Sequence, residues 1–359
     1  MRHLTAALCC TLVLAILACG CGGGGGNGAN QAPARIFLAG GDGAAFFGNF
    51  RSDDLGATWK TIEAVGPLLR ISSLPGRDVG YSVDTDYRRV LKTTDGGLSW
   101  SPLPTSPPLD ENGTISALSF FDADEGIAST TSFHDGDPNF RIQTYALFWT
   151  EDGGASWSRA ANAAGDGIAE QLCTTPDGLA VALGTGIISR VSRPPVLLAS
   201  RDGGRSWESI LQLQFQGSMT CQGSATIWVA AAPHDLHRSP DAGRTWEDRT
   251  GTLPEDARNQ IVDLEFTSER HGALLAGSYV DPNQRYVVTT DGGEHWASFT
   301  LPVPVFRFVS IDDRTTLALG RGEKDSLILT RDGGRSWAEV GLPPGIVYVD
   351  AVQVARSAR

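Results

Sequence analysis

Apolar and polar residues alternate with a period of two along much of this chain, in short runs separated by turn-forming residues. "IVDLEF" (261–266) and "ISALSF" (115–120) show the alternation most clearly, and such a pattern predicts strands with one buried face. After "IVDLEF" come a turn at "TSERHG", a second apolar run "ALLAGSY" and a third, "RYVVTT"; after "ISALSF" come "DADEG", "IASTT" and "IQTYALFWT". The unit is strand, turn, strand, loop, strand, then a phrase that recurs throughout the chain.

That phrase is Ser/Thr-x-Asp-x-Gly-x-x-Trp, and it occurs seven times. The copies are Ser52-Asp54-Gly56-Trp59, Thr93-Asp95-Gly97-Trp100, Thr150-Asp152-Gly154-Trp157, Ser200-Asp202-Gly204-Trp207, Ser239-Asp241-Gly243-Trp246, Thr289-Asp291-Gly293-Trp296 and Thr330-Asp332-Gly334-Trp337. The Trp residues are spaced by 41, 57, 50, 39, 50 and 41 positions, the interval of a repeat architecture. A catalytic motif has no reason to recur, whereas a structural turn has. Asp and Ser/Thr side chains bond backbone amides a few residues on, Gly supplies the positive φ of a tight turn, and Trp re-enters the core along a fourth strand with one N–H to satisfy. The seven Asp residues are therefore read as turn staples.

The phrase resembles the Asp-box, or BNR, repeat of sialidases, sortilin-type receptors, xyloglucan-active hydrolases and photosystem II stability/assembly factors. The resemblance implies an all-β fold, with each box on the turn between the third and fourth strands of a β-propeller blade and away from the functional face.

Blade counting then predicts a closed seven-bladed β-propeller. Ahead of the first box stand only "RIFLAGG" (35–41) and "AAFFGNFRS" (44–52), so blade one lacks a first strand. "GIVYVDAVQV" (345–354) follows the last box with none of its own, and is predicted to complete blade one by pairing near Arg35–Ala39. Its Ile346, Tyr348, Asp350 and Val352 are expected on one side, with Val347, Val349, Ala351 and Val354 on the other. Blades cannot bury their faces singly, so residues 35–356 form one body despite the length. A six-bladed ring with one decayed box fits less well.

Residues 1–18 read as a signal peptide: a short basic start, then an apolar stretch too short to span a bilayer. "ILAC" resembles the bacterial lipoprotein box and predicts lipid attachment at Cys19, with a plain signal peptide as the alternative. Residues 19–34 are a Gly-rich tether. The expected location is the cell envelope, with contact to membrane through the lipid only. Cys173 and Cys221, six residues before Leu179 and Ile227, fall in what should be the innermost strands of adjacent blades; a disulfide and two buried thiols both fit.

The net charge of −12 argues against a nucleic-acid partner. No cofactor motif, nucleophile motif or metal-ligand spacing is present, so no catalytic residue, cofactor or metal is assigned. The long loops fall opposite the boxes: "PLPTSPPLDENG" (102–113), "SFHDGDPNFR" (132–141), "GTGIISRVSRPP" (184–195) and "YVDPNQR" (279–285). That face collects Arg70, Arg88, Arg89, Arg141, Arg190, Arg193, Arg285 and Arg307, interspersed with Asp84, Asp86, Asp135, Asp137 and Asp281. It reads either as a solvated mixed-charge rim or as an anion- or protein-binding patch. The grammar is most similar to that of photosystem II stability/assembly factors, which implies a monomeric protein-binding or assembly module. The alternative is a sialidase-like glycosidase or glycan-binding propeller. "ARIF" (34–37) and "FRIQ" (140–143) lack the Pro of the sialidase Arg-Ile-Pro motif.

Overall fold

The computed structural model describes residues 34–355, apart from 43–45, 64–67, 69–70, 74–77, 85, 138–139, 167, 189–190, 215–216, 232–234, 259, 279–280 and 321–323. The signal, tether and lipid-attachment expectations, with Cys19, therefore lie outside the described residues, as do Arg70 and Arg190.

Seven antiparallel blades form a ring. In chain order of their first strands, blades two to seven begin at Ser72–Ser73, Thr114–Phe120, Ile168–Thr174, Gly217–Gln222, Ile261–Phe266 and Val305–Ser310. Blade one takes its first strand from the far end of the chain: Tyr348–Ala355 pairs with Arg35–Gly41, setting Ile36 against Val354 and Leu38 against Val352. Phe46–Ser52 and Lys60–Ile62 complete it. Each first strand packs against the first strands of both neighbouring blades, so these strands line the axis. No helix among the described residues is long and apolar enough to cross a membrane.

The closing strand does not keep the simple alternation expected of it. Asp350 is an extra residue, because Val349 pairs with Gly40 and Ala351 with Ala39. The bulge shifts the phase, so Val349 and Val352 are buried together in one cluster with Ile36, Leu38 and Leu327, while Tyr348 is 37% exposed. A bulge lets a strand bend and re-aim its side chains without losing its pairing. First strands of blades three, four, six and seven bulge similarly, at Ser116, Glu170, Val262 and Phe306.

Side chains of the first strands stitch neighbouring blades together. The Ile71 amide donates to Gln353 Oε1, and the Phe120 amide to Ser72 Oγ at 3.0 Å. Ser119 and Thr174 share a hydrogen bond of 2.8 Å. Gln171 donates to Gly217 O at 2.7 Å and accepts from the Met219 amide at 2.9 Å. Gln222 donates to Phe266 O, and the Ser310 amide donates to Glu265 Oε2 at 2.6 Å. The last seam closes through Asp325, which accepts from the Val349 amide. Buried backbone groups between blades are thereby satisfied.

Blades four and five are also joined covalently. Cys173 and Cys221 form a disulfide with Cα atoms 5.9 Å apart.

Candidate functional site

The repeated turns have one geometry. The Ser/Thr hydroxyl donates to Asp Oδ1 at 2.8–2.9 Å and accepts from the consensus Gly amide at 2.7–2.9 Å. Asp Oδ1 also accepts an amide, and Oδ2 a side-chain bond, from the residue just before Trp. That residue is Thr58, Ser99, Ser156, Ser206, Thr245 or Ser336 at 2.6–2.7 Å, and in blade six it is His295, whose Nδ1 lies 2.8 Å from Asp291 Oδ2. The hydroxyl-bearing position before Trp is a fifth element of the phrase, present in six of the seven copies. These bonds hold every one of the seven carboxyls below its ordinary value, against partial burial where that occurs; Asp54, Asp241, Asp291 and Asp332 fall to about 2. Carboxylates with both oxygens engaged by their own turn are poor general acids.

The consensus Gly has two reasons to lack a side chain. Gly56 and Gly334 sit at φ +84° and +90°, and a Cβ there would lie 2.3 Å from Val340 or 2.5 Å from Tyr286 of the preceding blade. Each turn is thus wedged onto its neighbour. The tryptophans sit at the same seams, and only Trp100 and Trp207 are fully buried; Trp59, Trp157, Trp246, Trp296 and Trp337 remain half-buried, which corrects the expectation of a ring sunk in the core. The fourth strand is the outermost, so its rings are covered on one side only. Trp59 Nε1 reaches across to Gly341 O at 2.7 Å, whereas Nε1 of Trp157 and Trp337 is buried with no hydrogen-bond partner among the described residues.

The opposite face differs from the expectation most at blades three and four. The segments read as loops at 132–141 and 184–195 are largely continuations of strands. Gly126–Asp137 pairs with Phe140–Thr150, and Ala180–Ile188 with Val191–Ser200, as two long hairpins. Ile142 pairs with Ile188, so the two blades fuse into one eight-stranded sheet. Their strands run 9–12 residues, against 5 or 6 for the equivalent strands of blades five to seven. At about 3.3 Å per residue the hairpins rise well above the rest of the face. Arg141 and Arg193 stand on these hairpins.

Three of the other arginines are engaged by nearby groups. Arg88 donates to Glu111 O at 3.0 Å and Gly113 O at 2.7 Å. Arg89 Nε bonds Asp84 Oδ2 at 2.7 Å; burial raises the Asp84 carboxyl, but Arg89 and two backbone amides hold it below its usual value. Arg285 pairs with Asp256 at 3.1 Å and bonds Thr300. Arg307 lies apart, on the first strand of blade seven, where its charge interacts with Asp263 of blade six. Both keep some solvent contact. Desolvation nevertheless lowers Arg307, opposed by the Asp263 charge, and raises Asp263, opposed by the Arg307 charge. Among the described side chains, Arg88, Arg89 and Arg285 are thus engaged by nearby groups; the side chains of Arg141 and Arg193 lie outside the description, as do Arg70 and Arg190. Two long hairpins rise from blades three and four, and across the ring the first strands of blades six and seven bring Asp263 and Arg307 together. Among the described residues no group of three or more His, Cys, Asp or Glu side chains is placed to hold a metal.

No protein-family model matches the sequence, and no curated protein matches it. Solved structures do. YCF48 bound to D1 peptide aligns with TM-score 0.53 and 18% identity over 80% of this chain and 85% of that one. YCF48 from Cyanidioschyzon merolae aligns with TM-score 0.52 and 16% identity over 79% and 88%. The GH74 xyloglucanase from Xanthomonas campestris aligns with TM-score 0.57 and 18% identity over 78% of this chain but 46% of its own. These likenesses concern the fold alone and agree with the seven-bladed propeller described above, a fold compatible with both binding and hydrolysis.

Proposed function

We propose that the protein is an exported binding propeller, with Asp-box turns as its frame and a lipid on Cys19, that docks a protein partner on the face opposite the turns. Its role is assembly or scaffolding at the cell envelope. The observation that carries this reading is the fused pair of long hairpins on blades three and four, on the face opposite the turns. Strand hairpins projecting from a propeller face offer backbone edges to a partner in a way that a flush rim does not. The fold likeness to a propeller bound to a peptide supports the same class of function.

The test is to shorten each hairpin, replacing 134–141 or 187–192 with a two-residue turn, and to crosslink intact envelopes through a photoreactive residue on the remaining hairpin. A folded variant, checked by its melting curve, should lose the partner adduct seen with the full-length chain. Adducts that persist after both truncations place the contact elsewhere. Release of oligosaccharide from xyloglucan by the purified chain would instead favour the hydrolase reading.

A further inference from the structure

The chain enters the ring on the face that carries the repeated turns. Ile36 pairs with Ser52, the residue that opens the first turn phrase. Arg35 Nη2 donates to Asp78 Oδ1 at 2.6 Å, and Asp78 lies between the first two strands of blade two, in a connection that shares this face. From Arg35 the strand climbs away, toward the hairpin face. Whatever precedes residue 34 therefore departs from the turn face.

Reach then decides which face lies toward the bilayer. The turn carboxylates stand beside Arg205, Arg244 and Arg335 of the same turns, so the charge of this face is mixed and does not by itself select an orientation. Fifteen residues (20–34) separate Cys19 from the first strand, and a Gly-rich chain of that length spans about 20 Å on average. If the ring were inverted, the hairpin strand Gly126–Asp137, roughly 40 Å long, would stand between the root of the tether and the bilayer. The tether would have to stretch to about twice its natural span.

Resting on the reading of Cys19 as the anchor, we infer that the turn face is the membrane-proximal side and that the hairpin face points away. The partner this geometry fits is a protein domain standing clear of the bilayer surface, not the lipid surface itself.

The test uses the chain from Cys19 onward with Cys21→Ser, coupled through Cys19 to a maleimide phospholipid in phosphatidylcholine vesicles containing phosphatidylglycerol. A fluorophore is attached through an azide-bearing residue in place of Leu98, 44% exposed on the turn face, or of Asn283, exposed on the hairpin face. Headgroup-nitroxide lipids should quench the Leu98-site probe several-fold more strongly. Equal quenching, or stronger quenching at the Asn283 site, overturns the orientation. Palmitate labelling in cells, compared with Cys19→Ala, reports on the anchor separately. Its absence overturns the anchor and with it any membrane-facing role, whereas inverted quenching overturns the orientation alone.

Discussion

Asp325 and Val349 bond across the seam where the ring closes. The carboxylate accepts the Val349 amide at 2.8 Å while the Asp325 amide donates to Val347 O at 2.9 Å. Asp325 is only 5% exposed, so Asp325→Ala leaves a buried amide without an acceptor. The expected loss is about 1–3 kcal/mol of unfolding free energy, read from denaturant melts. Asp325→Asn keeps an acceptor and should lose less. Equal stability of the Ala variant would show that the bond plays no part in closure.

Truncation probes the same seam more severely. Deleting from Gly345 onward removes Val349 and Val352 from their cluster and exposes the edge of Arg35–Gly41, a template for aggregation. The product should be aggregated or rapidly proteolysed, whereas deleting 356–359 should leave the melting temperature unchanged. A soluble, cooperatively melting protein after the longer deletion would contradict a ring that depends on this strand.

The turn carboxylates set an acid limit. Their folded-state values lie below those of the unfolded chain; Asp332, for example, falls to about 2. Their stabilisation is complete above the unfolded value of about 3.9 and fades as pH falls toward the folded values. The melting temperature should therefore drop steeply between roughly pH 4 and pH 2. Asp202→Ala should lower stability at neutral pH by about 1–2 kcal/mol and flatten that acid dependence. A variant with wild-type melting but lost partner binding would instead give the turn a functional role.

The disulfide between Cys173 and Cys221 predicts that mature chain carrying Cys21→Ser, unfolded without reductant, shows no free thiol in the propeller. Reduction should cost roughly 2–4 kcal/mol, read as a lower denaturant midpoint. Two titratable thiols before reduction would exclude the bridge.

Substituting the consensus Gly should be costly even though only one methyl is added. In Gly293→Ala the new Cβ meets the Trp228 ring at 2.3 Å, at a φ of +84°. Left-handed backbone and overpacking together are expected to remove about 3 kcal/mol. Gly341→Ala, with no atom within 4 Å of the added Cβ, is the control and should melt like the parent.

Much of this architecture was legible because the repeat phrase fixes turn, strand order and blade number at once, and an unmatched segment at each end of the propeller implies closure. The hairpins were not legible. A polar stretch such as "SFHDGDPNFR" looks like a loop, yet up to Asp137 and again from Phe140 it is strand, because a partner strand is held beside it. Glu265 was hidden for the opposite reason. A polar residue at an alternating position suggests solvent, yet it is 2% exposed and is occupied by the Ser310 amide of the next blade. For the arginines, sequence reports which face a residue falls on but not whether its guanidinium is already committed, as Arg88 is to the carbonyls of its neighbouring loop.

The pairing of Arg35 with Ala355 places both ends of the ring's closing pair side by side at the same end of two antiparallel strands. Tension drawn between those ends does not load the ladder in shear, where all its hydrogen bonds would resist together. It peels them apart one after another, starting at Arg35. The clasp that keeps the ring shut against heat and denaturant is therefore mechanically soft: pulled from its two ends in a force spectrometer, blade one should unzip at low force while the disulfide-linked blades across the ring stay intact.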